Sequence, residues 1–82
     1  MLNITYELDF LDTIRKIKDK PFKEKVKKQV ENIISNPEVG KPMRYTRKGT
    51  RELYIKPYRI AYAYIQKENQ LIFLKIYHKD KQ

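Results

Sequence analysis

Residues 52–64 read Glu52-Leu53-Tyr54-Ile55-Lys56-Pro57-Tyr58-Arg59-Ile60-Ala61-Tyr62-Ala63-Tyr64, or ELYIKPYRIAYAY. Apolar and polar residues alternate on both sides of Lys56-Pro57, the period-two pattern of two β-strands joined by a tight turn. From Tyr58 onward one face carries Tyr58, Ile60, Tyr62 and Tyr64, and the other Arg59, Ala61, Ala63 and Ile65. The bulkier set is predicted to meet the core. In the preceding strand, turning Leu53 and Ile55 inward sends Glu52 and Tyr54 to the face that presents Arg59. Two adjacent strands then hold a glutamate, a tyrosine and an arginine together on the open side of a sheet.

Downstream, Lys67-Glu68-Asn69 reads as a hairpin turn and residues 71–77 as a last strand. Strict alternation sets Leu71, Phe73, Lys75 and Tyr77 against Ile72, Leu74, Ile76 and His78, sending His78 inward unless a bulge or strand end near Tyr77 frees it. Upstream, residues 43–46 are predicted as an edge strand, Arg47-Lys48-Gly49 as a turn, and residues 51–55 as the next strand.

The first half has a different period. After a first strand at residues 2–7, Phe10, Leu11, Ile14 and Ile17 follow helical spacing, with Asp9 near the helix start. Pro21 suits the first turn of a second helix, whose Phe22, Val26, Val30, Ile33 and Ile34 form an apolar stripe and which Ser35-Asn36-Pro37 ends. Two such helices need a sheet to cover. The predicted fold is α+β, in the order β-α-α-β-β-β-β: a helix hairpin packed on one face of a mainly antiparallel sheet, forming a single domain over residues 1–82.

Composition narrows the chemistry. The chain has no cysteine and one histidine, which excludes a disulfide framework and any thiolate metal site. No segment approaches the ~20 apolar residues of a membrane span, and the N-terminal MLNITYEL lacks a signal-peptide pattern, so a cytoplasmic protein is expected. The net charge is +9. Residues 1–35 carry eight Lys and Arg against six Asp and Glu, whereas residues 36–82 carry eleven against four. Within the second half Lys41, Arg44, Arg47, Lys48, Arg51, Lys56 and Arg59 are opposed by Glu52 alone, a concentration that attracts a phosphate backbone or an acidic partner.

The order of elements, together with NPEVGKP at residues 36–42, GTRELYIKPYRIAYAY at residues 49–64 and the ending LKIYHKDKQ, resembles the RelE/ParE superfamily of toxins from type II toxin-antitoxin modules. The spacing from Gly49 through Glu52-Leu53 to Tyr58-Arg59-Ile60 is most similar to its HigB branch. The resemblance implies a metal-free endoribonuclease without cofactors. It would cut messenger RNA in the ribosomal A site and be held inactive by a cognate antitoxin, as a monomer alone and a hetero-oligomer with that antitoxin. Arg59 falls on the family's Tyr-Arg arginine and Glu52 on the glutamate of its Glu-Leu-Arg pattern. Tyr54 stands where many relatives have arginine. Where relatives carry a C-terminal helix and a late catalytic tyrosine, this sequence has a cluster of His78, Lys79 and Lys81.

Metal-free RNA cleavage needs a base for the ribose 2′-hydroxyl, positive charge on the phosphate and an acid for the leaving 5′-oxygen. Arg59 suits the second task, because its planar guanidinium can clamp two phosphate oxygens. Glu52 is a candidate base or an orienting partner of Arg59. His78 is a candidate for proton transfer near neutral pH, Tyr54 for stacking on a base or donating a hydrogen bond, and Lys79 joins them as a catalytic candidate. Lys41, Arg44, Arg47, Lys48, Arg51, Lys56 and Lys81 are candidate RNA-binding residues. Two alternatives stay open: a gyrase-inhibiting toxin without nuclease activity, which Tyr54 in place of arginine favours, and a catalytically degenerate RNA-binding module.

Overall fold

The computed structural model describes residues 1–43 and 49–78. β1 (Asn3–Tyr6) leads into α1 (Leu8–Lys16) and α2 (Lys20–Ser35), followed by β2 (Lys41–Pro42), β3 (Thr50–Ile55), β4 (Tyr58–Ile65), a single 3-10 turn at Gln66–Glu68 and β5 (Gln70–His78). The five strands form one sheet in the order β1-β5-β4-β3-β2. β1 pairs with β5 in parallel, and the other three pairings are antiparallel. The predicted order of elements and the α+β class both hold. β2 spans two residues and Met43 lies just beyond it; the rest of the expected edge strand at residues 43–46, and Arg47 and Lys48 of the expected turn, lie outside the described residues.

Local chemistry explains the helix ends. The Asp19 carboxylate caps α2 by accepting the Phe22 N–H at 3.2 Å, and Pro21 occupies the first turn, where a missing N–H costs nothing. Asn36 closes α2 and Pro37 prevents its continuation.

The helix stripes and one sheet face enclose a core of Phe10, Val26, Ile33, Ile55, Ile60, Tyr62, Leu71, Phe73 and Ile76. Phe73 sits at its aromatic centre, 5.1 Å from the Phe10 ring, 5.2 Å from Tyr6 and 6.2 Å from Tyr62. These separations fall in the range where aromatic pairs add to area burial.

The bulge sits three residues before Tyr77. Ala61 pairs with Lys75 but Tyr62 pairs with Phe73, so Leu74 is an extra residue in β5. Before it, Leu71 and Phe73 share the helix-side face with Tyr64 and Tyr62. After it, Ile76 and His78 take that face opposite Ile60 and Tyr58, and Lys75 and Tyr77 turn to the open side. Strict alternation, which grouped Lys75 and Tyr77 with Phe73, fails because the core gains both Phe73 and Ile76 this way.

A pinned loop leads into β2. Tyr62, fully buried, donates its hydroxyl to the Pro37 carbonyl at 2.7 Å and accepts the Gly40 N–H at 2.8 Å. Only glycine fits at position 40, since a Cβ there would lie 2.5 Å from the Tyr62 hydroxyl oxygen. Burial raises the Tyr62 pKa, against smaller opposing effects of the Gly40 hydrogen bond and the Arg51 charge. A phenol titrating higher when folded than the ~10 of an unfolded tyrosine contributes stability that is complete below about pH 10 and lost as pH rises above it. Tyr62→Phe is expected to cost about 1–3 kcal/mol, because it orphans the buried Gly40 N–H, and to flatten part of the alkaline loss. Urea titrations at neutral and alkaline pH measure both effects.

Candidate nucleic-acid interface

The face of the sheet turned away from the helices is organised in cross-strand rows, because directly paired residues of neighbouring strands share a side. One row runs Lys41, Glu52, Ala61, Lys75 across β2, β3, β4 and β5, and the next runs Tyr54, Arg59, Tyr77. Glu52 joins the two rows. Its Oε1 accepts the Arg59 Nη1–H at 3.0 Å and its Oε2 accepts the Tyr77 hydroxyl at 2.6 Å. The Arg59 and Glu52 side chains are 27% and 21% exposed, so the pair is partly shielded yet reachable from solvent.

This arrangement keeps Tyr77 a donor. Burial raises its pKa most, the hydrogen bond to Glu52 and that carboxylate's charge raise it further, and Arg59 acts in the opposite direction. Beside the pair, Arg59 lies with its guanidinium carbon 5.9 Å from the centre of the half-exposed Tyr54 ring. Lys75 places its ammonium 5.2 Å from the Tyr77 ring centre. A shallow cleft of about 360 Å³, lined by Val39, Lys41, Glu52, Leu53, Tyr54 and Arg59, opens on the β2 side. Ala61 is 2% exposed, a low floor beneath taller neighbours.

The structure brings Glu52, Tyr54 and Arg59 together as the strand pattern predicted, and β2 adds Lys41, which that pattern places in no strand. It separates others from them. His78 lies on the helix-side face, edge-on to Tyr58 at 5.2 Å between ring centres, because the Leu74 bulge turns Tyr77 and not His78 to the open side. Arg51, opposite Tyr62, also faces the helix side and donates to the carbonyls of Gly40 at 2.7 Å and Glu38 at 3.1 Å, so its guanidinium holds the loop before β2. Lys56 is exposed in the β3–β4 turn. Arg44, Arg47, Lys48, Lys79 and Lys81 lie outside the described residues.

Tyr77 and Lys75 escaped the sequence reading. Their signal was the lone charge of Lys75 within LIFLKIY, which alternation wrongly grouped with Phe73. Among the described residues no group of three or more His, Asp or Glu could hold a metal ion, and no helix is long and apolar enough to cross a membrane.

Solved structures share this fold. The isolated E. coli RelE toxin is similar over 100% of this chain and 88% of its own, at 13% identity and a TM-score of 0.80. RelE-RelB from Pyrococcus horikoshii matches over 99% and 98% at 11% identity and 0.77. A YoeB/ParE toxin from Agrobacterium tumefaciens matches over 94% and 98% at 15% identity and 0.78. No curated protein matches by sequence. The sequence model of the ParE toxin of type II toxin-antitoxin systems, parDE, covers residues 4–82, and the chain accordingly belongs to the RelE/ParE toxin superfamily of type II toxin-antitoxin systems.

Proposed function

We propose that this toxin is a metal-independent endoribonuclease that cuts messenger RNA on the ribosome through its open sheet face. The convergence of Arg59 and Tyr77 on Glu52, flanked by Lys41 and Lys75, carries the reading. Glu52 engages one donor at each oxygen, and a carboxylate has about four acceptor sites, so capacity remains to take the proton of a ribose 2′-hydroxyl. The 2′-oxygen then bonds to phosphorus while the bond to the 5′-oxygen breaks. Arg59, held at one nitrogen by Glu52, keeps other N–H donors for the phosphate as negative charge builds. The protonated Tyr77 phenol is the donor nearest the pair and gives its proton to the leaving 5′-oxygen. His78 has no part in these steps.

A cognate antitoxin is the expected partner, since structures sharing this fold include RelE with RelB from E. coli and from an archaeon. It would bind the toxin as a hetero-oligomer and keep the basic face from message and the ribosomal A site. A second reading, inhibition of DNA gyrase by binding alone, is favoured by the ParE match over residues 4–82 and by Tyr54 in place of an arginine.

Induction from a tight promoter with mapping of cellular RNA 5′ ends separates the two. Codon-periodic cuts in message support cleavage; intact message with induced DNA damage overturns it.

A further inference from the structure

Outside the Glu52 network lie a 500 Å³ groove between α1 and α2, a 400 Å³ pocket beneath the Lys56-Pro57 turn, and the lysines at the two ends of the Lys41, Glu52, Ala61, Lys75 row. The groove mixes Lys23 and Lys27 with Glu24 and Glu31, so its charge selects no partner. In the pocket, Asp19 caps α2 and the Tyr58 ring already meets Phe22 and His78. The lysine row carries more.

Resting on the ribonuclease reading, we propose that Lys75 is a phosphate-binding residue and that the RNA strand crosses the β-strands, from the cleft at Lys41 over the Arg59–Glu52 pair to Lys75. Glu52 neutralises Arg59, whereas neither Lys41 nor Lys75 forms an ion pair among the described residues. Among the described residues the uncompensated positive charge of this face therefore sits on its two flanks and not at its centre.

Lys41 on β2 and Lys75 on β5 are separated by three strand spacings of about 4.8 Å each, or roughly 14 Å. They stand on opposite sides of the Glu52 network: Lys41 lines the cleft with Tyr54, and Lys75 lies over Tyr77. Two separated cations suit a chain of phosphates better than a single one. The row direction sets the path, and the low Ala61 between Glu52 and Lys75 leaves room for it. Lys75 reaches this position only because the Leu74 bulge moves it from the face of Phe73 to that of Arg59.

The test is binding of a short single-stranded RNA by the purified toxin across a salt series. Each phosphate contact on a single strand contributes a slope of about −0.7 in log K against log salt. Lys75→Gln and Lys41→Gln are each expected to make the slope shallower by about 0.7, and the double variant by about 1.4. Lys67→Gln, which removes a charge from the 3-10 turn at Gln66–Glu68, controls for net charge and is expected to leave the slope unchanged. If Lys75→Gln keeps the wild-type slope, or changes it no more than Lys67→Gln, the path is wrong while the ribonuclease reading stands. If the wild-type protein neither binds RNA nor cuts message, both are overturned.

Discussion

Replacing Arg59 with alanine is expected to abolish growth arrest and to lower RNA cleavage by about 10²–10³-fold, the usual loss on removing one donor aimed at developing negative charge. Among the described residues the guanidinium is the one cation that Glu52 holds in place on the open face, at 3.0 Å. On the ribonuclease reading its loss removes charge from the phosphate, and it leaves Tyr77 as the remaining hydrogen-bond partner of Glu52 among the described residues. The domain is expected to stay folded, because Glu52 and Arg59 are partly exposed and water can replace the lost bond. Circular dichroism and thermal melting of the variant establish folding, and mapped RNA 5′ ends read cleavage. Undiminished cuts in a folded Arg59→Ala protein would remove the residue from the site. His78→Gln, by contrast, is expected to cleave at the wild-type rate, and a large loss in a folded variant would return the histidine to the chemistry.

Phe73→Ala is expected to cost about 3–5 kcal/mol, as truncation of a buried aromatic does. Phe73 has no exposed surface and meets the rings of Tyr6, Phe10 and Tyr62, so no single neighbour can collapse into the space it leaves. It also neighbours the extra residue Leu74, and weakening its packing removes a reason for the bulge. Small domains hold about 5–15 kcal/mol of stability in total, and at this size each kcal/mol shifts the melting midpoint by about 4–8 °C. A fall of at least about 12 °C follows. A shift of only a few degrees in calorimetry would mean that the aromatic cluster is not the centre of the core.

Much of this protein was legible from residue order. The helix stripes, the Pro21 start of α2, the Asn36-Pro37 stop and the Lys56-Pro57 break are local signals, and each marks an element where the structure has one. The shared face of Glu52, Tyr54 and Arg59 was legible as well, because β3 and β4 pair without a shift from Thr50 to Ile55. Residues 71–78 were not. Leu71, Ile72, Phe73, Leu74 and Ile76 are apolar on both sides of the strand, so alternation carries no preference for one register over another.

The order of elements, the apolar stripes and the Glu52, Tyr54, Arg59 face are written into residue order, since periods of 3.6 and 2 are properties of the chain alone. Long-range packing set the remaining features. Packing of Phe73 against Tyr62 and of Ile76 against Ile60 in one core requires the extra residue at Leu74. That bulge carries Tyr77 to Glu52 and Lys75 to the open face, and leaves His78 with Tyr58 on the other. Arg51 likewise reads as a free cation until the loop before β2 folds back and its carbonyls at Glu38 and Gly40 take the guanidinium. Each of these outcomes depends on a partner distant in sequence, and no pattern within one strand encodes which partner that will be.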